Sequence, residues 1–171
     1  NLNLDIILNN LYKVKPNNIL GITGTNGKTS VMWTTSEILK YNYKNVISLG
    51  TIGLYKNMKK IGDFRLTTPE KEDLHKAAYT LSGKNNHEFI FEVSSHAISK
   101  QRIRNFPINI AAITNITQDH LDFHKSVKNY KNTKLKLFTK FLVKNGTAVI
   151  NDNITNLKNF KKKLNEKNIK I

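Results

Sequence analysis

The stretch "NILGITGTNGKTSV", residues 18 to 31, constrains the fold more than any other part of the chain. Its apolar run NILGIT reads as a buried strand, Gly24 to Gly27 as a turn, and Lys28 to about Lys40 as a helix. Strand, glycine turn and helix in immediate succession form a β-loop-α unit suited to a nucleotide phosphate. Glycines at 24 and 27 let the backbone turn tightly and aim successive N–H groups at an anion. Lys28 adds a compact positive charge, and the Thr29 hydroxyl can ligate Mg²⁺. Gly24, Thr25, Asn26, Gly27, Lys28, Thr29 and Ser30 are therefore the candidate cofactor-binding residues. The match to G-x-x-x-x-G-K-[ST] is a variant, because Ile22 stands five before Gly27 and the glycine lies one earlier at Gly21. The alternative, a glycine-rich turn with an incidental lysine, is disfavoured by the strand before it and the helix after it.

Downstream, the pattern keeps alternating between strand and helix. A lead-in helix over 3 to 11 ends in the polar "KVKPNN"; "NVISLGTIGLY" reads as one or two strands and "KNMKKIGDF" as a turn and edge hairpin. Thr68 and Pro69 are expected to start a helix with Pro at its first position and Leu74, Ala77, Ala78 and Leu81 as its buried stripe. "HEFIFEV" follows as a strand, then a short helix near 97 to 104, the strand "INIAAITNI", a helix over 126 to 142 and a last strand, "GTAVIND". This order predicts an α/β domain: a mostly parallel sheet flanked by helices, with a small edge hairpin and the functional residues at the carboxyl ends of the strands. A length of 171 residues suits one such domain, expected over 18–171 behind a 1–17 lead-in.

Composition removes several classes. No apolar run approaches the roughly 18 residues of a membrane span, and "LDIIL" is too short for a signal-peptide core. The absence of cysteine excludes disulfide and thiolate chemistry and agrees with a cytoplasmic setting. A net charge of +16, from 28 Lys and Arg against 12 acids, raises nucleic acid as a partner. The lysines are spread along the chain without any nucleic-acid module, and Asn and Ile are abundant too, so a compositional cause is preferred and neither nucleic acid nor membrane is expected as a partner. The run Lys161 to Lys163 reads as the solvated face of a final helix.

Three further groups carry chemistry. Glu92 ends an apolar strand in "HEFIFEVSSHAISKQR", where a carboxylate beside a phosphate loop can serve Mg²⁺. One of the serines that follow is expected to cap a helix, and His96 is left open between function and structure. "TNITQDHLDFH" packs Asp119, His120, Asp122 and His124 into its last six residues. The zinc pattern H-E-x-x-H fails at Leu121, so the expected division is His120 as ligand or phosphate neighbour and His124 as helix surface. Lys134 falls in the middle of an apolar helical face set by Val127, Tyr130, Leu137, Phe138 and Phe141, while Lys136 and Lys140 fall opposite. Snorkelling or an ion pair explains such a lysine; so does an amine neutral enough to add CO₂ and become a carbamate.

Taken together, "TGTNGKTS", "TTPE", "EVSSHA", "TNITQDHLDFH" and the lysine of "YKNTKLKLF" resemble, in order and spacing, the central ATP-binding domain of the Mur ligase family, and within it the UDP-N-acetylmuramoyl-tripeptide synthetases. The resemblance runs from about residue 18 to 153. It implies ATP-dependent amide ligation in peptidoglycan synthesis, with ATP and Mg²⁺ as cofactors. UDP-MurNAc-L-Ala-D-Glu would react through an acyl phosphate with a diamino acid. Carried over by position, Lys28 would hold the β and γ phosphates, Thr29 and Glu92 the first Mg²⁺, and His120 with carbamylated Lys134 the second, making Lys28, Glu92, His120 and Lys134 the catalytic set. Thr67, Thr68, Ser94 and Arg102 match positions contacting the UDP-muramoyl peptide, although Leu66 and Lys100 stand where some relatives carry asparagine and glutamine. The family's N-terminal uridine-binding and C-terminal ligase domains would be the flanking partners. The start at Asn1 suggests a domain cut from a longer protein.

Overall fold

The computed structural model describes residues 2–11, 15–42, 45–79, 87–154 and 157–171. Helix α1 (Leu2–Leu11) leads into β1 (Asn18–Thr23), α2 (Lys28–Asn42), β2 (Val46–Gly50) and the hairpin β3 (Gly53–Lys56) and β4 (Lys59–Gly62). Then come α3 (Lys71–Tyr79), β5 (Glu88–Glu92), α4 (Ser95–Ser99) and β6 (Ile108–Ile113). The chain continues through α5 (Leu121–His124), α6 (Val127–Lys136), a π-helical turn (Leu137–Phe141), β7 (Leu142–Ile150) and α7 (Lys158–Asn165). Among the described residues the strands form one seven-stranded sheet, ordered β4-β3-β2-β5-β1-β6-β7. The five from β2 to β7 run parallel, and β3 and β4 add an antiparallel edge. The α/β architecture and edge hairpin expected from the sequence are both present.

Alternation along the strands explains how both faces of the sheet become covered. In β5, Phe89 and Phe91 point into a large cluster with Leu74, Phe106, Leu137 and Phe138, while Ile90 joins Ile22, Met32, Val46 and Ala112 beneath α2. Such continuous apolar strands are what a parallel sheet buried on both faces requires. The hairpin turns at Asn57 and Met58, both at positive φ (50° and 67°), the geometry of a tight two-residue β-turn.

Several boundaries differ from the sequence expectation, for local reasons. Helix α3 starts at Lys71 rather than Thr68, because Thr68 is committed elsewhere: its hydroxyl donates to the Glu92 carbonyl (2.9 Å) and its carbonyl accepts from Arg102 (3.3 Å). Leu74, Ala77 and Ala78 are buried as expected; Leu81 lies outside the described residues. The short helix occupies Ser95–Ser99 rather than 97 to 104, capped by Ser94 Oγ accepting from Ala97 N (3.2 Å), and the chain then turns through Gln101 and Asn105 at positive φ. The helix expected to reach 142 is α-helical only to Lys136; a π turn then lets Leu137, Phe138 and Phe141 all face the core. Val127, assigned to the apolar face, is 43% exposed. Strand β7 begins at Leu142 rather than Gly146, its pairing with β6 shifting register between Ile108 and Ile110.

Candidate functional site

The carboxyl ends of β1, β2, β5 and β6 bring the sequence-predicted residues to one edge of the sheet, the position at which parallel α/β sheets build their sites. The glycine loop leaves β1 with Gly24 at φ 147° and Gly27 at φ 81°. A Cβ at Gly24 would lie 1.9 Å from Thr114 Oγ1, so this position is closed to any side chain. The end of β6 holds the loop from the other side. Asn26 N donates to Asn115 Oδ1 (3.0 Å), Thr114 Oγ1 donates to Asn26 O (2.6 Å), and Thr117 N donates to Thr25 Oγ1 (3.0 Å). The 15-residue helix α2 starts directly after the loop, so its unpaired N–H groups and positive dipole end share this edge. Lys28 Nζ bends back to donate to Gly24 O (3.0 Å) and Thr25 O (2.8 Å), and burial pushes its pKa down against the pull of Glu92 and Asp119.

Glu92 is the hub of the edge. Its side chain is fully buried at the tip of β5, yet its carboxylate is supplied with neutral donors: Thr29 Oγ1 (2.8 Å) and Thr51 N (2.9 Å) to Oε1, and Thr51 Oγ1 (3.2 Å) to Oε2. Gly50 makes room for it, since a Cβ there would stand 2.1 Å from Glu92 Oε1. Beside this hub, Thr67 Oγ1 lies 3.1 Å from Thr51 Oγ1. The Thr68 hydroxyl accepts from Ser94 N (3.0 Å), and Arg102 pairs through Nε with Glu70 (2.8 Å). Thr67, Thr68, Ser94 and Arg102 therefore form one polar strip contiguous with Glu92.

On the other side of the loop stands Lys134, 1% exposed. Its Nζ donates to Gly24 O (2.7 Å), the carbonyl that Lys28 also uses, and lies 4.5 Å from the centroid of the Tyr130 ring. Burial first, then the charge of Lys28, lower its pKa to about 7, with Asp119 opposing. The Tyr130 hydroxyl donates to Thr25 Oγ1 (3.3 Å), tying the same helix to the loop. His120 adopts the left-handed conformation (φ 50°) ahead of the four-residue helix α5, half exposed, with Nε2 3.4 Å from Asp119 Oδ2 and its ring 6.1 Å from that of Tyr130.

The expected division of the two histidines needs correction at His124. It is buried rather than on a helix surface, packed between Phe123 and Tyr130 with Nε2 unpartnered, and burial lowers its pKa. His96 packs on Phe123 and His120, and burial followed by the charge of His120 lowers its pKa as well. Sequence reading missed Gly50, Thr51, the Thr114–Thr117 latch and the Tyr130 hydroxyl. The available signal was position: Gly50 and Thr51 end the apolar strand VISLG, just as Glu92 ends its own.

The edge fits a magnesium-bound nucleotide phosphate. Side-chain-free glycines, a lysine and a helix start meet a hydroxyl paired with a carboxylate, the oxygen donors Mg²⁺ takes while it keeps phosphate and water ligands. Among the described residues no group of three or more His, Cys, Asp or Glu could hold a metal ion. No helix among them is long and apolar enough to cross a membrane.

Comparison with known proteins converges on one group. A family model described as the Mur ligase middle domain matches residues 22–171. The UDP-N-acetylmuramoyl-L-alanyl-D-glutamate--2,6-diaminopimelate ligase of Rickettsia conorii is 37% identical over 163 residues, covering 94% of this chain and 34% of that protein. A solved structure bearing the same enzyme name matches with a TM-score of 0.79 at 28% identity, over 98% of this chain and 34% of that one. E. coli FolC, solved in complex with DHPP and ADP, shares the fold with a TM-score of 0.68 at 14% identity, over 96% of this chain and 44% of that one. The chain spans about a third of the length of the curated relatives it matches.

Proposed function

The chain belongs to the Mur ligase family, as its middle domain, and on that premise we propose that it is the nucleotide-binding third of an ATP-dependent amide-bond ligase. That ligase adds a diamino acid to UDP-MurNAc-L-Ala-D-Glu through an acyl phosphate, in the cytoplasm, for peptidoglycan synthesis. The name shared by the relatives supports this substrate pair, with 2,6-diaminopimelate as the diamino acid; the ADP in FolC supports the nucleotide. A folylpolyglutamate synthase is the weaker reading, because that family usually carries glycine where this chain has Thr29 and lacks "EVSSHA".

The observation that carries the reading is Glu92, buried at the strand tip and joined by Thr29 from the first turn of the phosphate-loop helix. The Thr29 hydroxyl proton is spent on the carboxylate, so its lone pairs are left for a cation. Thr29 and Glu92 would hold the first Mg²⁺, and His120 and Lys134, as a carbamate, the second. Bound magnesium supplies charge neutralisation as the substrate carboxylate meets the γ-phosphate. Lys28 trades its two loop carbonyls for the β and γ phosphates, and its partial burial strengthens that exchange. With its pKa lowered to about 7, Lys134 has a substantial uncharged share near neutral pH, the form that adds CO₂, and a carbamate nitrogen keeps one hydrogen for the Gly24 carbonyl. Thr67, Thr68, Ser94 and Arg102 orient the muramoyl peptide beside Glu92, while the flanking domains bring uridine recognition and the diamino acid.

Calorimetric titration of Mg-ATP into this chain and into Lys28→Ala, at moderate salt, tests the reading. Saturable binding that disappears in the variant is the expected result. Binding of equal strength in both would sink the phosphate-loop assignment, and affinity that falls steeply with salt while ignoring Lys28 would point to a polyanion site instead.

A further inference from the structure

Thr51 receives no role from the sequence motifs, yet it touches both halves of the Glu92 strip. Its N–H donates to Glu92 Oε1 at 2.9 Å, its hydroxyl lies 3.2 Å from Oε2, and the same hydroxyl lies 3.1 Å from Thr67 Oγ1. A carboxylate only accepts, and a threonine hydroxyl has one proton to give. The Thr51 proton therefore goes to Glu92, because pointing it at Thr67 would set two oxygen lone pairs against each other at 3.2 Å. Thr67 must in turn give its proton to Thr51. What Thr67 then presents to a ligand is lone pairs alone. The direction of the whole chain, Thr67 to Thr51 to Glu92, is dictated by the charge at its end.

We propose that Thr51 is a positioning residue that couples the acid-substrate site to the Mg-nucleotide site, by fixing Thr67 as a pure hydrogen-bond acceptor and locking the Glu92 carboxylate in place. The inference rests on the function proposed above and deepens it. The substrate group that meets Thr67 is accordingly a donor, an amide N–H or a hydroxyl, and not the reacting carboxylate. A donor seated on Thr67 holds its proton on Thr51, which holds the Thr51 proton on Glu92; each bond polarises the next. Filling one site thus tightens the other, and by linkage the factor is the same in both directions.

The test uses the protein carrying this chain together with its flanking domains. Binding of Mg-AMPPNP is titrated calorimetrically with and without saturating UDP-MurNAc-L-Ala-D-Glu, in wild type, Thr51→Val and Thr51→Ser. Thr51→Val keeps the N–H and the shape but loses the hydroxyl; Thr51→Ser keeps both polar groups. The wild type is expected to bind the nucleotide roughly fivefold or more tightly when the UDP-substrate is present. Thr51→Val should bind each ligand alone but show an enhancement below about twofold, with Thr51→Ser restoring most of it. A merely structural role would weaken both affinities and leave their ratio alone. Wild-type coupling retained in Thr51→Val, or no coupling in a wild type that binds both ligands, overturns the inference while leaving the proposed function standing. A wild type that binds neither ligand overturns both.

Discussion

Two halves of one edge, Glu92 on one side of the glycine loop and Lys134 on the other, solve the problem of a buried ionisable group in opposite ways. Glu92 is surrounded by neutral donors, Thr29 Oγ1, Thr51 N and Thr51 Oγ1, which suit a carboxylate. Lys134 has a carbonyl and a ring face to offset its burial, but a second lysine shares that carbonyl, and burial with the Lys28 charge favours the uncharged amine. The Glu92 half is complete as folded. On the proposed function, the Lys134 half becomes a ligand only as a carbamate, and so depends on pH and CO₂.

Removing the hub should have the largest effect. Glu92→Ala takes away the proposed metal carboxylate and leaves the Thr51 N–H and two hydroxyls facing a cavity. On the proposed function, ligation by the protein carrying this chain is expected to fall by roughly a thousandfold, in line with deletion of a preorganised electrostatic group. A steady-state assay of acyl transfer measures this, and an alanine variant within tenfold of wild type would remove Glu92 from the mechanism.

Lys134→Met keeps the length and apolar stem but cannot form a carbamate. Activity is expected to fall by about a hundredfold, as for loss of a metal ligand's support, and a ¹³C carbamate resonance seen in wild type under ¹³CO₂ should be missing. Its stability should respond to pH in a set direction. The amine is depressed to about 7 in the fold against 10.5 in the open chain, so between those values the unfolded state binds the extra proton and stability rises with pH. Below about 7 both states are protonated and the penalty is constant. In CO₂-free buffer, denaturant melts at pH 7 and pH 9 should show wild type gaining on the order of 2 kcal/mol over the methionine variant. A gain of the same size in both would mean that Lys134 titrates normally.

Why one half was readable and the other only partly so follows from where the information lies. The glycine loop, Glu92 at its strand tip and Lys134 inside an apolar stripe are local patterns, each set by neighbours within a few residues. Thr51, with Gly50 beside it, meets Glu92 across 41 residues of sequence, through the pairing of β2 with β5, and no local periodicity encodes that meeting. Thr67 and Thr68 look like the start of a helix because their residue types favour caps. The structure spends Thr68 on the Glu92 carbonyl and lets α3 begin at Lys71. His124 was expected on a helix surface, but in a four-residue helix packing against Tyr130 and Phe123 decides its burial.

Gly50→Ala sharpens the contrast with the smallest change. The glycine lies at an ordinary φ, so the added methyl brings no backbone strain; its nearest conflicts are all with the Glu92 side chain, at Oε1 (2.1 Å), Cδ (2.7 Å) and Cγ (2.8 Å). The carboxylate has to give way, pulling against Thr29 and Thr51 at once. A modest cost of about 1–2 kcal/mol in stability is expected from overpacking, together with a drop in ligation of roughly tenfold from a displaced group. Because the strain falls on the Glu92 half alone, the ¹³C carbamate signal of Lys134 and its pH-dependent gain in stability should remain at wild-type levels. If both signals move with Gly50→Ala, the loop between the two halves transmits the displacement, and the two solutions to burying a charge are not independent.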